Sequence, residues 1–220
     1  MKSLIVKHKT LWLNKSLIAS VIIGLLFFIA SLFVNYSAVK YATKEMGNAT
    51  TDILLDNLPV INTDIVFSEG ALLFVIFVVV LLILKPKTIP LTLKSVALFI
   101  FIRAIFVSMT HIAPYPDQIT TDLSSLNYIS SSSGADLFFS GHTGLPFLLA
   151  LLFWENKYLK IIFLLSSFVA ATAAIFGHLH YTIDIFSAFF ITYGIYRLSK
   201  RFFQKDYKLF KFGLETGNLA

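Results

Sequence analysis

Cysteine is missing altogether from the 220 residues. Disulfides, a thiol nucleophile and a zinc–thiolate centre are therefore excluded, and cysteine use says nothing about redox compartment. Charge is also scarce: 14% of the residues are Asp, Glu, Lys or Arg, against about 25% in a typical soluble domain. No internal repeat of the kind that marks a solenoid is present.

What is abundant is apolar. Hydrophobic residues make up 57% of the chain and the mean hydropathy is +0.79. Several runs approach 20 residues, the length that crosses a bilayer as a helix. The pattern predicts an all-α polytopic membrane protein, one domain over 1–220 with six spans near 16–38, 65–84, 95–113, 137–154, 159–177 and 181–199. A cleaved leader is the rival reading of the first run, but a signal peptide has an apolar core of about 7–15 residues, and 16–38 is longer. Between the spans, 39–64 reads as a polar loop with a short surface helix at 52–58, 85–94 as a tight basic loop with two prolines, and 114–136 as a loop whose Pro, Ser and Gly content predicts mobility. The tail after 200 reads as basic, then featureless.

The net charge of +6 would suit nucleic acid, but its placement argues for membrane orientation instead. Six spans put both termini on one side. That side collects 15 Lys and Arg, the other only Lys40 and Lys44, and Arg103 lies within a span. The positive-inside rule then makes the termini cytoplasmic. The stretches around residues 136–143 and 177–184 fall together on the opposite face.

Those two stretches hold the ionisable groups at the edges of apolar runs, where such groups are functional candidates by default. His180 and Asp184 are spaced i, i+4, so they share one face of the helix that opens the last span. A carboxylate there can hold one imidazole nitrogen and leave the other free for nucleophilic or base work; a local helix-start hydrogen bond is the plainer reading. Ser140 and Gly141 precede His142 where another span begins. Free backbone N–H groups and the positive helix end make such a start an anion site, and glycine lets a ligand approach the backbone; an N-cap serine with a tolerated glycine is the alternative. Asp136 either orients His142 or caps. Arg103, inside an apolar run, needs an anion: a phosphate oxygen, or a structural partner such as Glu69 or Asp136. Tyr181, beside His180, is grouped with these substrate-contacting candidates. His178, His180 and Asp184 lack a further ligand to complete a metal site, so no metal and no cofactor are expected. Two histidines, an orienting carboxylate and an anion-binding helix start suit phosphoryl transfer.

The pieces GADLFFSGHT at 134–143 and HLHYTIDIFSAFFITY at 178–193 closely resemble the sphingomyelin synthase family, a branch of the type-2 phosphatidic acid phosphatase superfamily. Weaker likeness runs through RAIFVSMTHIAPYP at 103–116 and DILLDNLPVINTDIVFSE at 52–69. The resemblance implies six spans with the site at the exoplasmic face. It implies that His180 is the nucleophile forming a phosphohistidine, that Asp184 orients it, and that His142 protonates the departing diacylglycerol and then activates the acceptor hydroxyl. The reaction implied moves phosphocholine or phosphoethanolamine from a glycerophospholipid donor to ceramide or a similar lipid alcohol. A lipid phosphatase or phospholipase C-like hydrolase on the same residues, with water as acceptor, is the alternative. The partners are thus membrane lipids rather than nucleic acid, and homo-oligomerisation is compatible with the sequence.

The chain departs from the superfamily's phosphatases at two points. It has no Lys- and Arg-rich first motif, and 172–176 contains no cation ahead of the second histidine pair. A phosphate monoester carries nearly two charges at neutral pH and a diester only one, so a cation-poor site favours the diester.

Overall fold

The computed structural model describes residues 11–119 and 136–213. Every described element is helical: α1 Lys15–Lys44, α2 Asp64–Leu84, a 3-10 turn Pro86–Thr88, α3 Ile89–Met109, α4 Gly141–Leu152, α5 Lys157–Phe176, α6 Thr182–Phe202 and α7 Gln204–Phe212. The segments α1, α2, Pro86–Met109 and α5 are long and apolar enough to cross a membrane, which makes this an integral membrane protein. The helix α4 is apolar but has only 12 residues, about 18 Å. In α6 the apolar run is interrupted by Asp184 at its start and by Arg197, Lys200 and Arg201 at its end.

Contacts fix the direction of each helix. Near its start α1 offers Ser20 to Asp206 of α7; just past its end Gly47 N–H donates to the carbonyl of His111 after α3. The next helices reverse in turn, so α1 to α6 alternate and the loops sort into two ends. One end gathers the starts of α4 and α6 and the end of α5, with every histidine predicted to act. The other gathers the 3-10 turn, residues 153–156 and α7.

The central helix is α3, buried along Leu91, Ala97, Phe99, Arg103, Ala104 and Val107. It packs on α1 along a seam that recurs every seven positions, Leu17 followed by the small residues Gly24, Ser31 and Ala38. A Cβ on Gly24 would lie 3.3 Å from Leu93, so glycine lets the two backbones close up, as small residues do where no hydrophobic force separates helix from lipid. On its other side α3 meets α4 and α6. Gly144 is the tightest point: a Cβ there would sit 2.8 Å from both Phe99 and Thr192.

Several boundaries differ from the sequence reading. The first helix runs on to Lys44, because 39–43 contains no helix breaker and Gly47 comes only later; Lys40 and Lys44 are helical, not loop, residues. Residues 53–58 are turns rather than a surface helix. There the Asp52 carboxylate accepts from Leu54 and Leu55 N–H, and Asp56 accepts from Asp52 N–H, local bonds that compete with helix. The 85–94 loop shrinks to the 3-10 turn, and α3 begins at Ile89 with Pro90 in its first turn, where a missing N–H costs nothing. The helix ends at Met109, where Thr110 turns extended, rather than near 113. The tail is not featureless: α7 docks by burying Asp206 and Leu209. The basic leader before residue 11, the serine-rich stretch 130–133 and the last seven residues lie outside the described residues.

Candidate active site

The site is built from three helix ends. The start of α4 follows Ser140, fully buried, whose side chain accepts from Thr143 N–H at 3.4 Å and whose own N–H donates to the Asp184 carbonyl at 3.2 Å. That second bond ties the start of α4 to the first turn of α6. Gly141 and His142 N–H have no partner among the described residues, as expected for the first turn of a helix. Pro146, four residues beyond His142, has no N–H with which to bond the His142 carbonyl.

The start of α6 is closed instead of open. Thr182 donates both its N–H, at 2.7 Å, and its hydroxyl to Asp52. Burial works against the Asp52 charge, but the bonds from Thr182, Leu55 and Leu54 outweigh it and hold the carboxyl below its ordinary 3.8. Asp184, 1% exposed, accepts from Tyr181 N–H at 3.0 Å with the same oxygen that faces His180 Nδ1 at 3.4 Å. The long second distance makes this a poised pair rather than a tight one. It leaves Nε2 of His180 as the nitrogen not turned toward the carboxylate.

His142 is exposed and His180 is buried, and Phe67 of α2 sits at both. Its ring centroid is 4.1 Å from that of His142 and 6.5 Å from that of His180. The structure thus brings His142 and His180 together around one aromatic ring, with Asp184 behind His180. His142 also lies within the electrostatic reach of His180, Arg103 and Asp136.

Arg103 comes up from α3 beneath the loop before α4. Its Nε donates to the Phe139 carbonyl at 2.7 Å, Nη1 to the Asp136 carboxylate at 2.6 Å and Nη2 to the Asp136 carbonyl at 2.9 Å. Of the two structural partners considered, Asp136 is the one found, and its carboxylate goes to Arg103. These bonds use three of the five guanidinium donors. A Cβ on Gly141 would lie 3.4 Å from Nε, so glycine sets the first turn of α4 directly on the guanidinium.

Tyr181 stands apart from the other predicted residues. It is 2% exposed, and its hydroxyl donates to the Ala113 carbonyl at 2.9 Å while accepting from Thr50 N–H at 3.2 Å. It clamps two loops over the start of α6. His178 turns the chain from α5 into α6 at φ 53°, with Leu179 N–H bonded to the Ala174 carbonyl and His178 N–H to that of Ile175. This is the helix-ending pattern in which glycine normally takes the left-handed position. The glycine lies one residue earlier because a Cβ on Gly177 would meet Thr63 Oγ1 at 2.5 Å. The His178 ring packs edge-on against Tyr115 at 5.1 Å, whose phenol is pushed up to about 12 by its hydrogen bond to Asp56. No three His, Asp or Glu side chains gather as a metal site among the described residues.

Phe67 and Asp52 were not singled out from sequence. An aromatic in an apolar run carries no signal of its own. Asp52 resembles any loop acid until Thr182, 130 residues on, is placed against it.

No curated protein and no solved structure matches the chain. Residues 134–201 match the family model described as PAP2 superfamily C-terminal. The matched stretch contains Ser140, Gly141, His142, His180 and Asp184, and over that stretch the chain is similar to the PAP2 superfamily.

Proposed function

We propose that the protein is a lipid phosphotransferase of sphingomyelin synthase type, taking a phosphocholine or phosphoethanolamine group from a glycerophospholipid to ceramide or a similar lipid alcohol. The observation that carries the reading is the meeting of an exposed histidine, a carboxylate-backed buried histidine and an open helix start beside Phe67. Nε2 of His180 attacks phosphorus, the bond to the diacylglycerol oxygen breaks, and His142 delivers the proton to that oxygen. His142, now neutral, takes the proton of the acceptor hydroxyl. The acceptor oxygen then attacks phosphorus and the P–N bond breaks, regenerating His180. Asp184 holds Nδ1 throughout and stabilises the imidazole as it gains positive character. The free N–H groups of Gly141 and His142 face the negative oxygens, with Arg103 directly behind them.

The charge inventory supports a diester substrate. Arg103 is already neutralised by Asp136, and at this end of the bundle the other cations among the described residues are Lys40 and Lys44 on the exposed end of α1. We place α6 and the shorter α4 as the spans completing a six-span bundle, with both termini cytoplasmic and the histidines at the exoplasmic face.

The test is lipid mass spectrometry on purified protein in liposomes of phosphatidylcholine and phosphatidylethanolamine, with and without ceramide, beside His180→Ala. A ceramide phospho-headgroup product lost in the variant is the expected result. Diacylglycerol with free phospho-headgroup, indifferent to ceramide, would make water the acceptor and the enzyme a hydrolase.

A further inference from the structure

At the opposite end of the bundle lies a cleft of about 390 Å³ between the 3-10 turn, the end of α4 and α7. It is room for roughly a dozen waters at liquid density, or for a phosphate with its glycerol. Four lysines line it, Lys85, Lys87, Lys200 and Lys211, against one acid, Glu155. Glu155 is taken by Lys211 at 2.7 Å. Lys200 is held in place by the faces of Tyr196 and Tyr207, 5.1 and 4.6 Å from their ring centroids. Lys85 and Lys87 are half-buried and have no acidic partner among the described residues. With its one carboxylate already paired, the cleft carries a surplus of positive charge from Lys85, Lys87 and Lys200 that an anion would neutralise.

The surroundings identify the anion's source. Trp154, on the rim, is half exposed and carries the Lys160 ammonium 4.6 Å above its ring. Tyr158 on the first turn of α5 and Phe212 at the end of α7 are also exposed, and the exposed aliphatic face of α5 begins at Ile161 and Ile162. Amphipathic aromatics followed by bare aliphatic surface mark the headgroup level of a bilayer. The cleft therefore opens where a lipid can place its phosphate among the lysines and its acyl chains along α5.

We infer that this cleft is a binding site for the phosphate of an anionic phospholipid headgroup, separate from the histidine site. The length of α6, 21 residues or about 30 Å, separates the two. The inference does not depend on turnover.

Binding of dioctanoyl phosphatidylglycerol and dioctanoyl phosphatidylcholine to the full chain in neutral detergent, read by native mass spectrometry and thermal shift, tests it. The expected result is preference for the anionic lipid, lost at least about ten-fold in Lys85→Gln/Lys87→Gln, with phosphatidylcholine binding and lipid-free melting temperature unchanged. Lys205→Gln/Lys208→Gln, exposed lysines of α7 outside the cleft, is expected to keep the preference. Single variants Lys85→Gln and Lys87→Gln serve if the double variant melts early, each with a partial loss. Equal affinity for the two lipids, equal loss in the α7 control, or glycerol 1-phosphate binding as tightly as the lipid would overturn the inference.

Discussion

The carboxylate of Asp184 has two tasks on one oxygen: it caps Tyr181 N–H and it faces His180 Nδ1. Asp184→Asn keeps an acceptor for the cap but cannot support a positive imidazole. It is therefore expected to fold normally and to turn over about 100- to 10,000-fold more slowly, as measured by product formation against melting temperature. Arg103→Lys is a different kind of loss. A point charge cannot replace a fork that binds the Asp136 carboxylate and two carbonyls, so both activity and melting temperature are expected to fall. Asp52 gives the pH dependence. Its carboxyl is held below 3.8 in the folded protein, so its contribution is fully present above that value and is lost as pH falls through the lower folded value. A melting-temperature series in detergent is expected to drop below about pH 4 and to flatten in Asp52→Asn, which also melts lower at neutral pH.

Among the elements, α3 carries an ion pair toward each end, Arg103 with the half-buried Asp136 and Lys94 with the buried Asp206, each 2.6 Å apart. The second pair, joined by Ser20 at 2.7 Å from Lys94 Nζ, pins α7 and α1 to the core. Removing only the acid leaves a buried ammonium, so Asp206→Ala is expected to destabilise by about 3–5 kcal/mol. Replacing both, Lys94→Met with Asp206→Leu, is expected to recover most of that, since exchanging a buried pair for apolar groups is often near neutral. Denaturation of the single and double variants in detergent measures the difference. Lys94 shows where sequence reading ran short. In a line of residues it ends a basic loop; only the proline-initiated start of α3 turns it inward, and only the fold of α7 supplies its acid. The apolar runs themselves were legible, because a helix in lipid must bond its own backbone and bare its side chains. Helix ends were less so, because local side-chain bonds decide them, as Asp52 does at 53–58.

Over the whole molecule, the helices alternate in direction and sort the two histidine motifs to one end and the lysine cleft to the other. That the two histidine motifs meet at one end was readable from the span lengths between them and from i, i+4 spacing; the lysine cleft was not. The partners that complete the site were only partly readable. Phe67 reaches both imidazoles only through the packing of α2, and that contact leaves no periodic trace; Asp136 was one of two partners named for Arg103, and packing decided between them. The central claim is that His180 takes the phospho-headgroup covalently. The most direct measurement is rapid-quench intact-protein and peptide mass spectrometry after mixing with phospholipid donor in the absence of an acceptor. An alkali-stable, acid-labile phospho-headgroup adduct on the peptide bearing His180, missing in His180→Ala, is the predicted result. Donor breakdown with no adduct on the wild-type protein, or an adduct that persists in His180→Ala, would contradict it.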